Sequence, residues 1–173
     1  MKKIFLLFLI VLISCSCAKR ATKKRKPVLT VAGIVHVCPS GKIALIERGK
    51  KPFGFAMFGG HVEDESPQDA FMRELKEELN VSTIFNLQLI GVHGNPGRDA
   101  RQHSVEITYS AMTNQNPIAG DDAKSVKLYT EDEILEMSKS GKFAFDHGEI
   151  IERYIKKLNK CNVCNTDCIV GLK

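Results

Sequence analysis

Phe58-Gly59-Gly60-His61-Val62-Glu63-Asp64-Glu65-Ser66-Pro67-Gln68-Asp69-Ala70-Phe71-Met72-Arg73-Glu74-Leu75-Lys76-Glu77-Glu78-Leu79-Asn80-Val81 decides how the rest of the chain is read. The glycine pair predicts a turn, and the acidic run after it feeds a helix. Ser66 is a good N-cap, Pro67 suits the first helical position, and Asp69 completes a box-like start. Asn80 tolerates the left-handed conformation that ends helices. Within the helix Phe71, Leu75 and Leu79 recur every four residues and form one apolar stripe. Glu74, Glu77 and Glu78 stand at i, i+3 and i+4, so their carboxylates share another face.

Like charges at that spacing cost an isolated helix ~0.2–0.5 kcal/mol per pair. The plain alternative is a solvated acidic face, partly neutralised by Lys76 and by Arg73 pairing with Glu77. The glycine pair ahead of the helix adds backbone carbonyls facing the same carboxylates. Clustered hard oxygens suit Mg²⁺ or Mn²⁺, which bind through carboxylates, waters and substrate phosphates. The spacing therefore points to a metal cradle for a phosphoryl substrate.

The stretch resembles the Nudix hydrolase signature, G-x5-E-x7-R-E-U-x-E-E-x-G-U with U aliphatic. Gly59, Glu65, Arg73, Glu74, Leu75, Glu77, Glu78 and Val81 match it in register. The segment from Gly59 to Glu65 is one residue shorter than the usual G-G-x-x-E-x-G-E and lacks its turn glycine. Phe58 and Asn80 replace the customary proline and late glycine. The resemblance implies an α+β fold, the Nudix α/β/α sandwich with a mixed central sheet between helices. It implies Mg²⁺ (or Mn²⁺) held by Glu74, Glu77 and Glu78 with a Gly59 or Gly60 carbonyl. One glutamate would act as base, and Arg73 and Glu65 would orient the carboxylates.

The N-terminus carries a different message. Met1-Lys2-Lys3 is a basic n-region, and Ile4 to Ile13 is an apolar run of ten residues. That is too short to span a bilayer, which needs ~20, but it suits a signal peptide. Leu12-Ile13-Ser14-Cys15 resembles a bacterial lipobox, so residues 1–14 are expected to be removed and Cys15 lipidated. Residues 15–26 then form a basic tether suited to anionic headgroups. Residues 1–26 hold eight Lys or Arg and no acid, so the formal +5 leaves 5 − 8 = −3 for the remainder. The basic balance is therefore no argument for nucleic acid. The expected location is lipid-anchored and extracytoplasmic.

With 43% hydrophobic and 26% charged residues over 173 positions, the rest is one globular domain, placed at 27–159. Strands are expected over Leu29–Val37, Ile43–Glu47, Asn86–Val92, Val105–Met112 and Val126–Tyr129. Thr130 should cap a helix over Glu131–Lys139, and a last helix should run from about His147 to Leu158. Cys161, Cys164 and Cys168 lie in a tail at 160–173. With export, disulfides are plausible there; a zinc site would lack its fourth ligand.

The polar loop from His93 to His103 is where substrate choice should lie. Pro96-Gly97-Arg98-Asp99, fifteen residues after Val81, resembles the ADP-ribose pyrophosphatase branch. So do the segments at 119–123 and 145–149. Arg98 or Arg101 is expected to clamp a phosphate, and Asp99, Asp121 or Asp122 to bind ribose hydroxyls. The implied reaction is hydrolysis of the pyrophosphate bond of ADP-ribose to AMP and ribose 5-phosphate. The alternatives are a housecleaning nucleoside-triphosphate pyrophosphatase and a catalytically weakened nucleotide-binding lipoprotein. Expected partners are a small nucleotide, the membrane through the anchor, and a second copy of the chain.

Overall fold

The computed structural model describes residues 26–120 and 123–161. Within them the order is β1 (Val28–Val37), β2 (Lys42–Arg48), β3 (Phe55–Ala56), β4 (Phe58–His61), α1 (Pro67–Leu79) and β5 (Phe85–His93). It continues with β6 (Ser104–Thr113), β7 (Ala123–Tyr129), α2 (Glu131–Lys139) and α3 (His147–Cys161). The expected signal segment, Cys15, Asp121, Asp122, Cys164 and Cys168 lie outside the described residues, as does the side chain of Cys161. Among the described residues no helix is long and apolar enough to cross a membrane.

β1 organises the sheet. Its run from Val31 to Val37 is buried almost throughout, as a strand covered on both faces must be. β1 pairs in parallel with β6 along its length, from Val28↔Ser104 to Val37↔Thr113. On the other side its first half pairs antiparallel with β4 and its last residues with β2. The principal strand order is β3-β2-β1-β6-β5, with β4 on β1 and β7 on β2, in one seven-stranded mixed sheet.

Each face carries its own apolar layer. Phe71, Leu75 and Leu79 of α1, the expected stripe, pack on Val31, Val35, Phe58, Tyr109 and Ala111. Phe71 meets Phe58 and Tyr109 edge-on, with centroids 5.1 and 5.5 Å apart. On the opposite face α2 and α3 bring Ile134, Ile150, Ile151 and Ile155 onto Ala32, Ile34, Ile43 and Leu45. Helices on both faces of a mixed sheet make the expected α/β/α sandwich.

The helix caps follow their residues. Ser66 Oγ accepts from the Asp69 backbone N–H at 3.2 Å and donates to its carboxylate at 2.6 Å. Asn80 ends α1 in the left-handed region with φ 53°. Thr130 and Glu133 form a reciprocal capping box for α2. One local expectation is overturned. Gly59 and Gly60 are not a turn but the middle of β4, opposite Ala32 and Val31. Glycine is demanded by crowding and conformation: Gly59 has φ +150°, and a Cβ there would stand 2.1 Å from the Val31 carbonyl oxygen. Cys38, buried at the end of β1, is disulfide-bonded.

Candidate active site

α1 and β4 together build one wall of a cavity of about 380 Å³. Glu74, Glu77 and Glu78 line it together with Gly59 and Gly60; Glu74 is buried, whereas the Glu77 side chain remains 56% exposed at the cavity. The Glu78 carboxylate accepts from the Gly59 backbone N–H at 2.8 Å. Gly60 leaves the space beside Glu74 clear: a Cβ there would stand 2.1 Å from Glu74 Oε1. Glu74 is only 8% exposed. Burial pushes its carboxyl above the ordinary range, and the Arg73 guanidinium beside it offsets part of that rise.

Arg73 is the hub of this wall. Its Nε and Nη2 donate to Glu65 Oε1 at 3.0 and 2.7 Å, and Nη2 also donates to the His61 carbonyl at 2.9 Å. Nη1 donates to Glu74 Oε1 at 2.7 Å and to Glu77 Oε2 at 3.2 Å. The expected orienting role of Arg73 and Glu65 thus has its geometry. Among the described residues no three Asp, Glu, His or Cys side chains are drawn into a tight cation cluster. Arg73 stands between Glu74 and Glu77 instead. The donor chemistry still fits a hard divalent cation: three carboxylates line one cavity, on a wall kept open by Gly60.

The cavity is also lined by Arg98, Asp99 and Arg101, the expected substrate ligands, and the first two are engaged internally. Arg98, the expected phosphate clamp, lines the cavity with its guanidinium drawn into internal ion pairs. Its side chain is 4% exposed and grips Asp146 bidentately, Nε to Oδ2 at 3.1 Å and Nη2 to Oδ1 at 2.6 Å. It also donates to Glu106 at 2.9 Å and Ser104 at 3.2 Å. Each of its three nitrogens thus donates to an acceptor within the protein. Asp99, the expected ribose ligand, also lines the cavity, but it is 7% exposed and both its oxygens accept from Arg101.

Arg101 is the expected residue that remains accessible, with its side chain 51% exposed on the cavity. Its guanidinium lies over the Phe145 ring, 5.0 Å from the centroid, and that of Arg48 lies 4.8 Å from the same ring.

Glu106 was not foreseen, and His147 only as part of the 145–149 segment. Glu106 sits in β6, between β1 and β5, and is 5% exposed. His147 Nδ1 accepts from the Met57 backbone N–H at 3.1 Å, which places the ring proton on Nε2, 3.3 Å from Glu106 Oε2. Burial alone would push the Glu106 carboxyl up. His147 and Arg98 outweigh it and hold the carboxyl down at about 2. A sequence signal existed: β6 alternates Ile107, Tyr109 and Ala111 toward α1, which sends Glu106 to the α3 face.

Comparison with known proteins agrees with this geometry. The NUDIX domain model matches residues 27–154. An ADP-ribose pyrophosphatase of Methanocaldococcus jannaschii is 36% identical over 149 residues, covering 82% of this chain and 83% of the relative. A MutT/nudix family protein from Enterococcus faecalis superposes with a TM-score of 0.68 at 30% identity, covering 80% of this chain. This chain spans 64% of that protein's length. The NUDIX domain of Shewanella oneidensis NrtR, solved with ADP ribose, has a TM-score of 0.68 at 28% identity, covering 78% of this chain and 90% of that one. With the signature's carboxylates gathered in one cavity and the family model matching from before β1 into α3, this chain belongs to the NUDIX family and is a pyrophosphohydrolase.

Proposed function

We propose that the protein hydrolyses the pyrophosphate bond of ADP-ribose, giving AMP and ribose 5-phosphate, with Mg²⁺ as its cofactor. The observation that carries this reading is the pairing of walls in one cavity. Glu74, Glu77 and Glu78 line one side, and Arg101 over Phe145 lines the other. Such a cavity has a place for a diphosphate and a separate place for a nucleoside. The relative from M. jannaschii and the ADP-ribose-bound NrtR domain support the substrate class.

Glu74, Glu77 and Glu78 would hold the cation, with the carbonyl of Gly59 or Gly60. Bound there, Mg²⁺ supplies Lewis-acid stabilisation of the charge developing on the pyrophosphate. Arg73 positions Glu74 and Glu77 from behind, and Glu65 and the His61 carbonyl in turn hold Arg73. One glutamate of the cluster takes the proton of the attacking water. Arg98 and Glu106 act lower down, as the buried support of the wall that carries Asp99 and Arg101.

The shortened segment before Glu65 and the hold of Arg73 on two of the carboxylates support a second reading, a nucleotide-binding domain with weak turnover. A substrate panel with product identification separates these. The first reading predicts AMP and ribose 5-phosphate from ADP-ribose, at higher kcat/KM than any nucleoside triphosphate. A preference for a triphosphate with release of pyrophosphate would replace it by the housecleaning activity. Binding without turnover would leave the second reading.

We further propose that the protein is exported and anchored through Cys15. The disulfide at Cys38 supports an oxidising compartment. Cys15→Ala should release the protein or leave its precursor uncleaved, and wild-type protein that is soluble and retains Met1 would refute the anchor.

A further inference from the structure

Arg101 is held in a manner unsuited to gripping phosphate. Its Nε donates to Asp99 Oδ1 at 3.0 Å and its Nη2 to Asp99 Oδ2 at 2.8 Å. Asp99 also accepts from the Arg101 backbone N–H at 2.9 Å, so the pair is locked through two residues of the same turn. The Asp99 side chain is 6% exposed, and this hydrogen-bonded guanidinium holds its carboxyl below the usual range. One donor edge of Arg101 is therefore spent and its charge is matched. What it retains is its plane. One face of that plane lies on Phe145, while the side chain is half exposed to the cavity.

Phe145 is placed for this at some conformational expense. It adopts φ +57°, a region a bulky aromatic residue rarely enters and one that marks functional sites. The ring is also flanked by His147, with centroids 5.1 Å apart, and by the Arg48 guanidinium. The Arg48 Nε donates to the Pro52 carbonyl at 2.7 Å, which fixes that arm too. Aromatic ring and guanidinium thus stack in the lining of the cavity that Glu74 and Glu77 also line.

We propose that the open face of Arg101, backed by Phe145, is the stacking platform for the nucleobase of the substrate. A charge-matched guanidinium plane stacks on flat heteroaromatic rings and gives no comparable contact to a second sugar. The inference rests on the reading of the substrate as a nucleotide. It assigns the base to this wall and leaves the pyrophosphate to the acidic one. Arg101 is then a specificity-determining residue rather than the phosphate clamp its position suggests.

The test uses the full-length protein with Mg²⁺ and measures calorimetric binding of the two product halves separately, AMP and ribose 5-phosphate. Arg101→Lys keeps the charge and removes the plane; Phe145→Leu removes the backing. Arg101→Lys should weaken AMP by about tenfold, the size of one base-stacking contact, and change ribose 5-phosphate less than about twofold. The loss in kcat/KM for ADP-ribose should fall in KM. Phe145→Leu should act in the same direction, and because it alters packing, a thermal melt accompanies it. Retained AMP affinity in Arg101→Lys, or equal weakening of both halves, would overturn the proposal. So would a wild-type protein that binds neither half. Failure of ADP-ribose to be hydrolysed, with AMP still held through Arg101, would instead overturn the reaction proposed above and leave this platform standing.

Discussion

Replacing Arg98 by alanine separates a buried structural charge from a substrate ligand. Its side chain is 4% exposed and answers Glu106, 7% exposed, and Asp146, 23% exposed. Removing it strands the Glu106 carboxylate beside the core with His147 as its remaining strong partner. Breaking one side of a buried ion pair costs roughly 3–5 kcal/mol, because the remaining charge is neither solvated nor paired. For a domain of this size that corresponds to a fall in Tm on the order of 10 °C. The assay is urea unfolding followed by circular dichroism, with the midpoint compared at unchanged slope. Arg98→Ala combined with Glu106→Gln should be less destabilised than Arg98→Ala alone, since no buried charge is then left behind. Asp146 reaches water and needs no such rescue. A loss below about 1 kcal/mol, with KM for the substrate raised, would refute the structural role and restore Arg98 as a ligand.

Other outcomes follow from the same contacts. Glu106 is held at about 2 against its ordinary 4.5, so the unfolded chain binds the proton first. Its contribution to stability is complete above pH 4.5 and is lost as pH falls toward 2, and Glu106→Gln should flatten that acid limb in melts across this range. Gly59→Ala drives a Cβ into the Val31 backbone and should abolish soluble folded protein on expression. Gly60→Ala meets instead the flexible end of Glu74, so the fold should survive while displacement of the carboxylate lowers kcat by about 10²-fold. Because burial disfavours ionised Glu74, Glu74→Gln should melt no lower than wild type in chelator-containing buffer.

Local patterns carried most of the fold. The spacing of Phe71, Leu75 and Leu79, with Ser66 and Asn80 at the ends, defined α1 to the residue, and Thr130 did the same for α2. β3 and β4 escaped because both are short and β4 carries two glycines. What makes Phe58–His61 a strand is its partner, the first half of β1, which no local pattern encodes. The acidic wall was legible because three glutamates and their arginine lie within one helix. The other wall was not: Arg98 and Asp146 are 48 residues apart, and His147 and Glu106 are 41 apart. An arginine in a polar loop reads the same whether its fork meets solvent or a buried and a half-buried acid, and only the packing of α3 on β6 decides.

The most direct test of the account is turnover of ADP-ribose by wild type and by Glu74→Gln, Glu77→Gln and Glu78→Gln, each titrated with Mg²⁺ and with products identified. These changes remove charge with little change of shape. The account predicts Mg²⁺-dependent release of AMP and ribose 5-phosphate by wild type and a loss of at least ~10²-fold for each glutamate that holds the cation or takes the proton. Wild-type turnover in all three variants would contradict it, and the acidic face of α1 would then be only a charged surface.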